Sequence, residues 1–258
     1  MRLRVIGCHG GESPTHRMPC FQIDEHLFLD TGALTRGLSV VEQRQVDQIY
    51  VSHSHLDHIG DLATLADNVI GQRDTPVEIY CMEETADAIE KHFLNNVVWP
   101  DFTKIPNPAN PDTTVLRMNR LRPGDTVQIG KYSLRTIPVN HPVPCHAVFV
   151  NDGQGTLVYS SDTGPTEALW DHINAVDDLK AFIYEVSFPN NMEKLAHVSG
   201  HLTPKLLAEE LQNFNPKREV PIYLYGMKPN FTEQLKEEVG ALQDERLVML
   251  KPMDEFDL

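Results

Sequence analysis

Apolar positions along the chain follow two rhythms, alternate residues and every third or fourth residue, and the change of rhythm marks its elements. Residues 2–7 alternate and run into a glycine turn, Gly7-Cys8-His9-Gly10-Gly11. Two short apolar runs, 20–23 and 26–29, flank Asp24-Glu25 and predict a hairpin. Asp30-Thr31-Gly32 stops the second run, and residues 46–52, centred on Ile49-Tyr50-Val51, predict a third strand. Residues 59–70 carry Ile59, Leu62, Ala63, Leu65, Ala66, Val69 and Ile70 at the spacing of one amphipathic helix. A strand over 77–81 and a helix over 83–94 follow, the helix with its acidic residues early, where the dipole favours them. Residues 95–111 are rich in Pro and Asn and read as a long loop, long enough to serve as the roof of a site.

The second half repeats the style. Strands are predicted over 125–129 and 132–138 around Gly130-Lys131, and over 147–150 and 156–160 around Asn151-Asp152-Gly153. A short helix over 169–176 and a buried strand over 181–186 come next. Thr203 followed by Pro204 marks the start of a helix that runs to about Phe214. A strand over 220–225, a helix over 231–242 and a strand over 247–250 complete the pattern. Strands opening each half and then alternating with helices predict an α/β fold of sheet layers covered by helices, in a single domain spanning 1–258.

Composition narrows the choice of partner. The chain carries 22 basic and 37 acidic residues, a net charge of −15, which repels nucleic-acid backbones; no large nucleic acid is expected as a partner. A small anion remains compatible if cations inside the site outweigh the global field. No window is apolar enough for a membrane span, and the run at 3–7 is too short for a signal-peptide core, so no membrane partner and a cytoplasmic location are expected. The cysteines at 8, 20, 81 and 145 form no C-x-x-C pair and read as small buried residues.

The chemistry concentrates in Val51-Ser52-His53-Ser54-His55-Leu56-Asp57-His58, directly after a strand and before a helix. Imidazole and carboxylate suit zinc, iron and manganese. A loop at a strand end can turn several such side chains to one point, whereas a continuous strand would alternate them between faces.

His53-x-His55-x-Asp57-His58 resembles the signature of the metallo-β-lactamase superfamily. The resemblance implies the αβ/βα four-layer sandwich and a two-metal hydrolase. It implies that His53, His55 and His141 hold one divalent ion, that Asp57, His58 and His201 hold the other, and that Asp162 bridges them. Asp57 and Asp162 would thereby be catalytic carboxylates, and Asp30 a supporting one. The implied cofactors are two divalent ions, zinc first, with manganese or iron as alternatives. His146 rivals His141 as a ligand and His197 rivals His201; both are also candidates for substrate binding and for protonating the leaving group.

Within the superfamily, Ser161-Asp162-Thr163-Gly164-Pro165, Glu185-Val186-Ser187-Phe188-Pro189 and Gly200-His201-Leu202-Thr203-Pro204 are most similar to the class II cyclic-nucleotide phosphodiesterases. The activity this implies is hydrolysis of 3′,5′-cyclic nucleotides or a similar small anionic phosphodiester through a metal-bridging hydroxide. Ribonuclease Z is a near neighbour: its His-Glu-Ala-Thr segment resembles Tyr184-Glu185-Val186-Ser187, with Tyr184 standing where the histidine thought to act as its acid would be. Other hydrolases on the same site, lactonase or thioesterase, and a non-catalytic binding scaffold are the remaining alternatives. A homodimer is left open.

Overall fold

A computed structural model describes all residues, 1–258. In chain order the strands are β1 Arg2–Gly7, β2 Cys20–Ile23, β3 Leu27–Leu29, β4 Gln48–Val51, β5 Val77–Met82, β6 Pro106–Asn107, β7 Asn110–Thr114 and β8 Leu116–Leu121. They continue as β9 Thr126–Ile129, β10 Tyr132–Pro138, β11 His146–Asn151, β12 Thr156–Tyr159, β13 Leu179–Glu185, β14 Ile222–Tyr225, β15 Leu247–Met249 and β16 Glu255–Asp257. The helices are α1 Leu34–Gly37, α2 Val40–Gln43, α3 Leu56–Ile59, α4 Leu62–Val69, α5 Glu83–His92, α6 Glu167–Asn174, α7 Glu193–Ser199, α8 Pro204–Glu210 and α9 Thr232–Gly240.

Two seven-stranded sheets form, β16-β1-β2-β3-β4-β5-β8 and β15-β14-β13-β12-β11-β10-β9. Alternation along each strand sorts side chains between two cores. Leu3, Val5, Tyr50, Val148, Ile183 and Tyr225 point between the sheets. Ile49, Val51 and Ile79 point to the outer face of the first sheet, where helices of the first half cover them. Phe182, Tyr184 and Leu224 do the same under α6, α8 and α9. The result is helix, sheet, sheet, helix, the four-layer sandwich. No helix is long and apolar enough to cross a membrane.

Three expectations need correction. The single helix expected over 59–70 starts earlier, at Leu56, and breaks at Gly60-Asp61 into α3 and α4. Asp61 causes the break: its N–H donates to Thr31 O (3.2 Å), and its carboxylate accepts from Thr35 N (2.8 Å) and Arg36. The segment 95–111 is not a featureless loop and does not roof the site. Its end folds into the β6–β7 hairpin, whose Asn107 and Asn110 amides donate to Arg73 and Asp74 carbonyls, at the end of β5 remote from His53. The periodic pattern also missed α1, α2, β8, α7 and β16. Leu116–Leu121 and Glu255–Asp257 are edge strands with mostly polar or half-exposed residues, so neither shows a buried stripe.

Candidate metal centre

The site lies where β3, β4, β10, β12 and β13 release their chains at one end of the sandwich. β4 ends at Val51, and Ser52, next in the inward series after Tyr50, is fixed by Asp30. The Asp30 carboxylate accepts from Ser52 N (2.8 Å), Ser52 Oγ (2.8 Å), Tyr159 Oη (2.7 Å) and His58 Nδ1 (2.7 Å). These bonds make Asp30 the support around which the His53–His58 loop turns. They also fix the His58 tautomer, leaving Nε2 as its free atom.

Two ligand clusters result. Ligand atoms of His53, His55 and His141 lie within 4.8 Å of one another, and so do those of His53, His58 and Asp162. His55 Nδ1 faces His141 Nε2 at 3.1 Å, while His141 Nδ1 donates to Gly200 O at 3.0 Å. His58 Nε2 lies 3.3 Å from Asp162 Oδ2, and the other Asp162 oxygen accepts from Tyr225 Oη at 3.0 Å. His53 Nε2 and His58 Nε2 are buried with no hydrogen-bond partner in the chain. Burying such atoms unpaired is costly, and a cation beside them removes the cost. The donor set therefore fits divalent metal ions.

Titration follows the same geometry. Burial drives the His53 pKa well below the ordinary imidazole value, lowers that of His55, and brings that of His141 to about 4. These rings are neutral at pH 7, the form that binds metal. Burial also lowers the His58 pKa, but Asp162 and Asp30 override it and carry the value well above the usual one. Asp162 is the mirror case: burial raises its pKa, and His58 outweighs this and holds it well below the carboxylate range.

The remaining candidates fall elsewhere. Asp57 is half-buried in the first turn of α3, beside His55 but in neither ligand cluster. His201 is also in neither. Its Nδ1 lies 3.2 Å from Glu185 Oε1 and 4.0 Å from Asp162 Oδ2, and Leu202 N donates to the same Glu185 oxygen at 2.7 Å. Burial lowers the His201 pKa, but Glu185 prevails and raises it. His146, the rival of His141, begins β11 and points between the sheets, its Nδ1 buried and unpartnered, outside both clusters. His197 is half exposed on α7, 3.9 Å from Glu193, and does not join the site. Tyr184 is a further correction. Its parity on β13 turns it into the outer core, stacked on Phe182 with ring centroids 4.6 Å apart, so its identity says nothing about an acid at the metal centre. Glu185, one residue on, faces the site. Its motif was visible in the sequence, but its pairing with His201, sixteen residues away, was not.

Comparison with known proteins agrees with this geometry. Residues 28–223 match the family model described as the β-lactamase superfamily domain. A probable 3′,5′-cyclic-nucleotide phosphodiesterase of Yersinia pestis is 27% identical over 233 residues, covering 81% of this chain and 65% of that protein, so the chain spans just under two thirds of that relative's length. A ribonuclease Z of Methanococcus aeolicus is 29% identical over 161 residues, covering 59% of this chain and 47% of that protein. The crystal structure of unliganded yeast PDE1 superposes with a TM-score of 0.77 at 18% identity, covering 96% of this chain and 97% of that one, a likeness of fold. With the two ligand clusters at the strand ends, these matches identify the chain as a metallo-hydrolase belonging to the metallo-β-lactamase superfamily.

Proposed function

We propose that the chain hydrolyses small phosphodiesters, 3′,5′-cyclic nucleotides among them, at a two-ion centre. The observation that carries the reading is the pair of ligand clusters sharing His53, set beside an imidazole that is held by a buried carboxylate. His53, His55 and His141 would hold one ion; His58 and Asp162, with Asp57 as the further candidate, would hold the other; Asp162 would serve both. Zinc suits this donor set, as do manganese and iron. Bound there, such ions acidify a water and neutralise charge on phosphoryl oxygens.

The chain's own groups do the rest. Asp30 fixes the His58 ring so that Nε2 faces the ion site. Tyr225 Oη holds one oxygen of Asp162 and so sets the direction of the other. Glu185 occupies His201 Nδ1, which leaves His201 Nε2 to hand a proton to the departing oxygen. His201 thus takes the role of proton donor in this reading, in place of a ligand.

The similarity to ribonuclease Z supports phosphodiester chemistry in general. The net charge of −15 weighs against a tRNA-sized substrate, whose many phosphates need many cations. The test is a panel run on protein of measured metal content: bis-p-nitrophenyl phosphate, cyclic AMP, cyclic GMP, 2′,3′-cyclic nucleotides, a tRNA precursor and a lactone. Turnover of the small diesters at about two metal equivalents per chain is expected. Efficient tRNA processing, lactone turnover without any diester turnover, or full activity at one equivalent would sink the reading.

A further inference from the structure

We propose that Lys228 is the anion anchor of the site, its ammonium taking a non-reacting oxygen of the substrate phosphate while His201 faces the leaving group. The proposal rests on the phosphodiester reading above for its ligand class. Lys104, Lys131, Lys205, Lys217 and Lys236 each pair with a carboxylate; Lys228, like Lys91, Lys180, Lys194 and Lys251, pairs with none, and what sets it apart is its place. It is half-buried rather than free in solvent.

Its position is built. The Lys228 N–H donates to Ser187 O (3.3 Å), and the Ser187 hydroxyl donates to Glu185 Oε2 (2.8 Å), the carboxylate that holds His201. The ammonium sits 5.8 Å from the centre of the Phe188 ring, and the His201 ring packs against that same Phe188 with centroids 5.6 Å apart. On the other side lies Gly10, where an added Cβ would come within 3.1 Å of Lys228 Nζ and 2.3 Å of Gly226 O. The glycine turn thus lets the first sheet's loop close against the lysine, and this accounts for a motif that the metal ligands leave unused. An unpaired cation on the aromatic ring that also packs the proton donor complements a phosphate carrying negative charge and does nothing for a neutral ester.

Inorganic phosphate is the probe, titrated calorimetrically into metal-loaded protein, with Lys228→Met, Lys228→Gln and Lys228→Arg beside the wild type. Both neutral variants are expected to bind phosphate about tenfold more weakly, the arginine variant within about threefold of wild type, all with unchanged metal content and thermal midpoint. Equal affinity in wild type and neutral variants would overturn the anchor, as would a metal-loaded wild type that binds no phosphate. A wild type that hydrolyses no phosphodiester, but shows this Lys228-dependent binding, keeps the anchor and defeats the phosphodiesterase reading. Brisk diester hydrolysis with identical phosphate affinities does the reverse.

Discussion

A single histidine can bind a metal, donate a proton or fill space, and its partners decide which. His58 has Nδ1 on Asp30 and Nε2 buried beside Asp162, the arrangement of a ligand. His201 has Nδ1 on Glu185, with Asp162 farther off at 4.0 Å, and belongs to neither ligand cluster. From sequence, Gly200-His201-Leu202-Thr203 could be matched to a motif, but its pairing with the Glu185 carboxylate at the end of β13 could not be seen. The two roles separate in one variant. His201→Ala is expected to keep its metal content while hydrolysis of diesters with alkoxide leaving groups falls by about 10²–10⁴. Bis-p-nitrophenyl phosphate, whose leaving group needs little protonation, should lose much less. Metal analysis and the two rates decide it: loss of one metal equivalent would return His201 to the ligand set.

Elements set where these residues meet, and glycine matters at one junction in particular. α7 ends at Gly200 in the left-handed region, φ 65°, with its N–H on Ala196 O. An added Cβ would lie 2.7 Å from Pro142 Cδ and 2.9 Å from His141 Cα, while Gly200 O accepts from His141 Nδ1. Gly200→Ala is therefore expected to cost about 1–2 kcal/mol in backbone strain and also to displace His141. Chelator competition should show metal affinity reduced about tenfold or more, as for other supports of a ligand. Wild-type affinity in a destabilised variant would mean that His141 tolerates the shift. Elements with a local signal were legible in the sequence: Thr203 does cap α8 through Leu206 N, and the strand before His53 lies where the β-branched run placed it. Elements whose signal is only a neighbour's edge were not. β8 and β16 gain their identity by pairing with β5 and β1, and the Gly60-Asp61 break depends on Thr31 and Thr35, nearly thirty residues earlier.

At the scale of the molecule, the two sheets are tied at both ends. The candidate ligand clusters draw on both sheets and converge at one end. At the other, the β2–β3 turn meets the β9–β10 turn through Asp24, which itself adopts φ 51°. Its carboxylate accepts from Arg2 N (2.7 Å), pairs with Lys131 Nζ (2.7 Å) and accepts from Tyr132 Oη. The amino terminus adds a second tie to Asp152 at 3.3 Å. Burial raises the Asp24 pKa, but Lys131, Tyr132 and the Arg2 N–H overcome it and bring the value from 3.8 to about 2. A carboxyl depressed in the folded state stabilises the fold above its ordinary pKa, and that stability is lost as the pH falls through the folded value. The shift corresponds to roughly 1–2 kcal/mol at neutral pH after allowance for partial exposure. Asp24→Asn isolates the charge, since Asn also accepts the left-handed conformation. Urea unfolding at pH 6 should show the variant less stable by roughly that amount, and the gap should narrow as the pH falls from about 4 towards 2. A gap that stays constant across that range would show that the tie works through shape alone and that the charge of Asp24 does not hold the two sheets together.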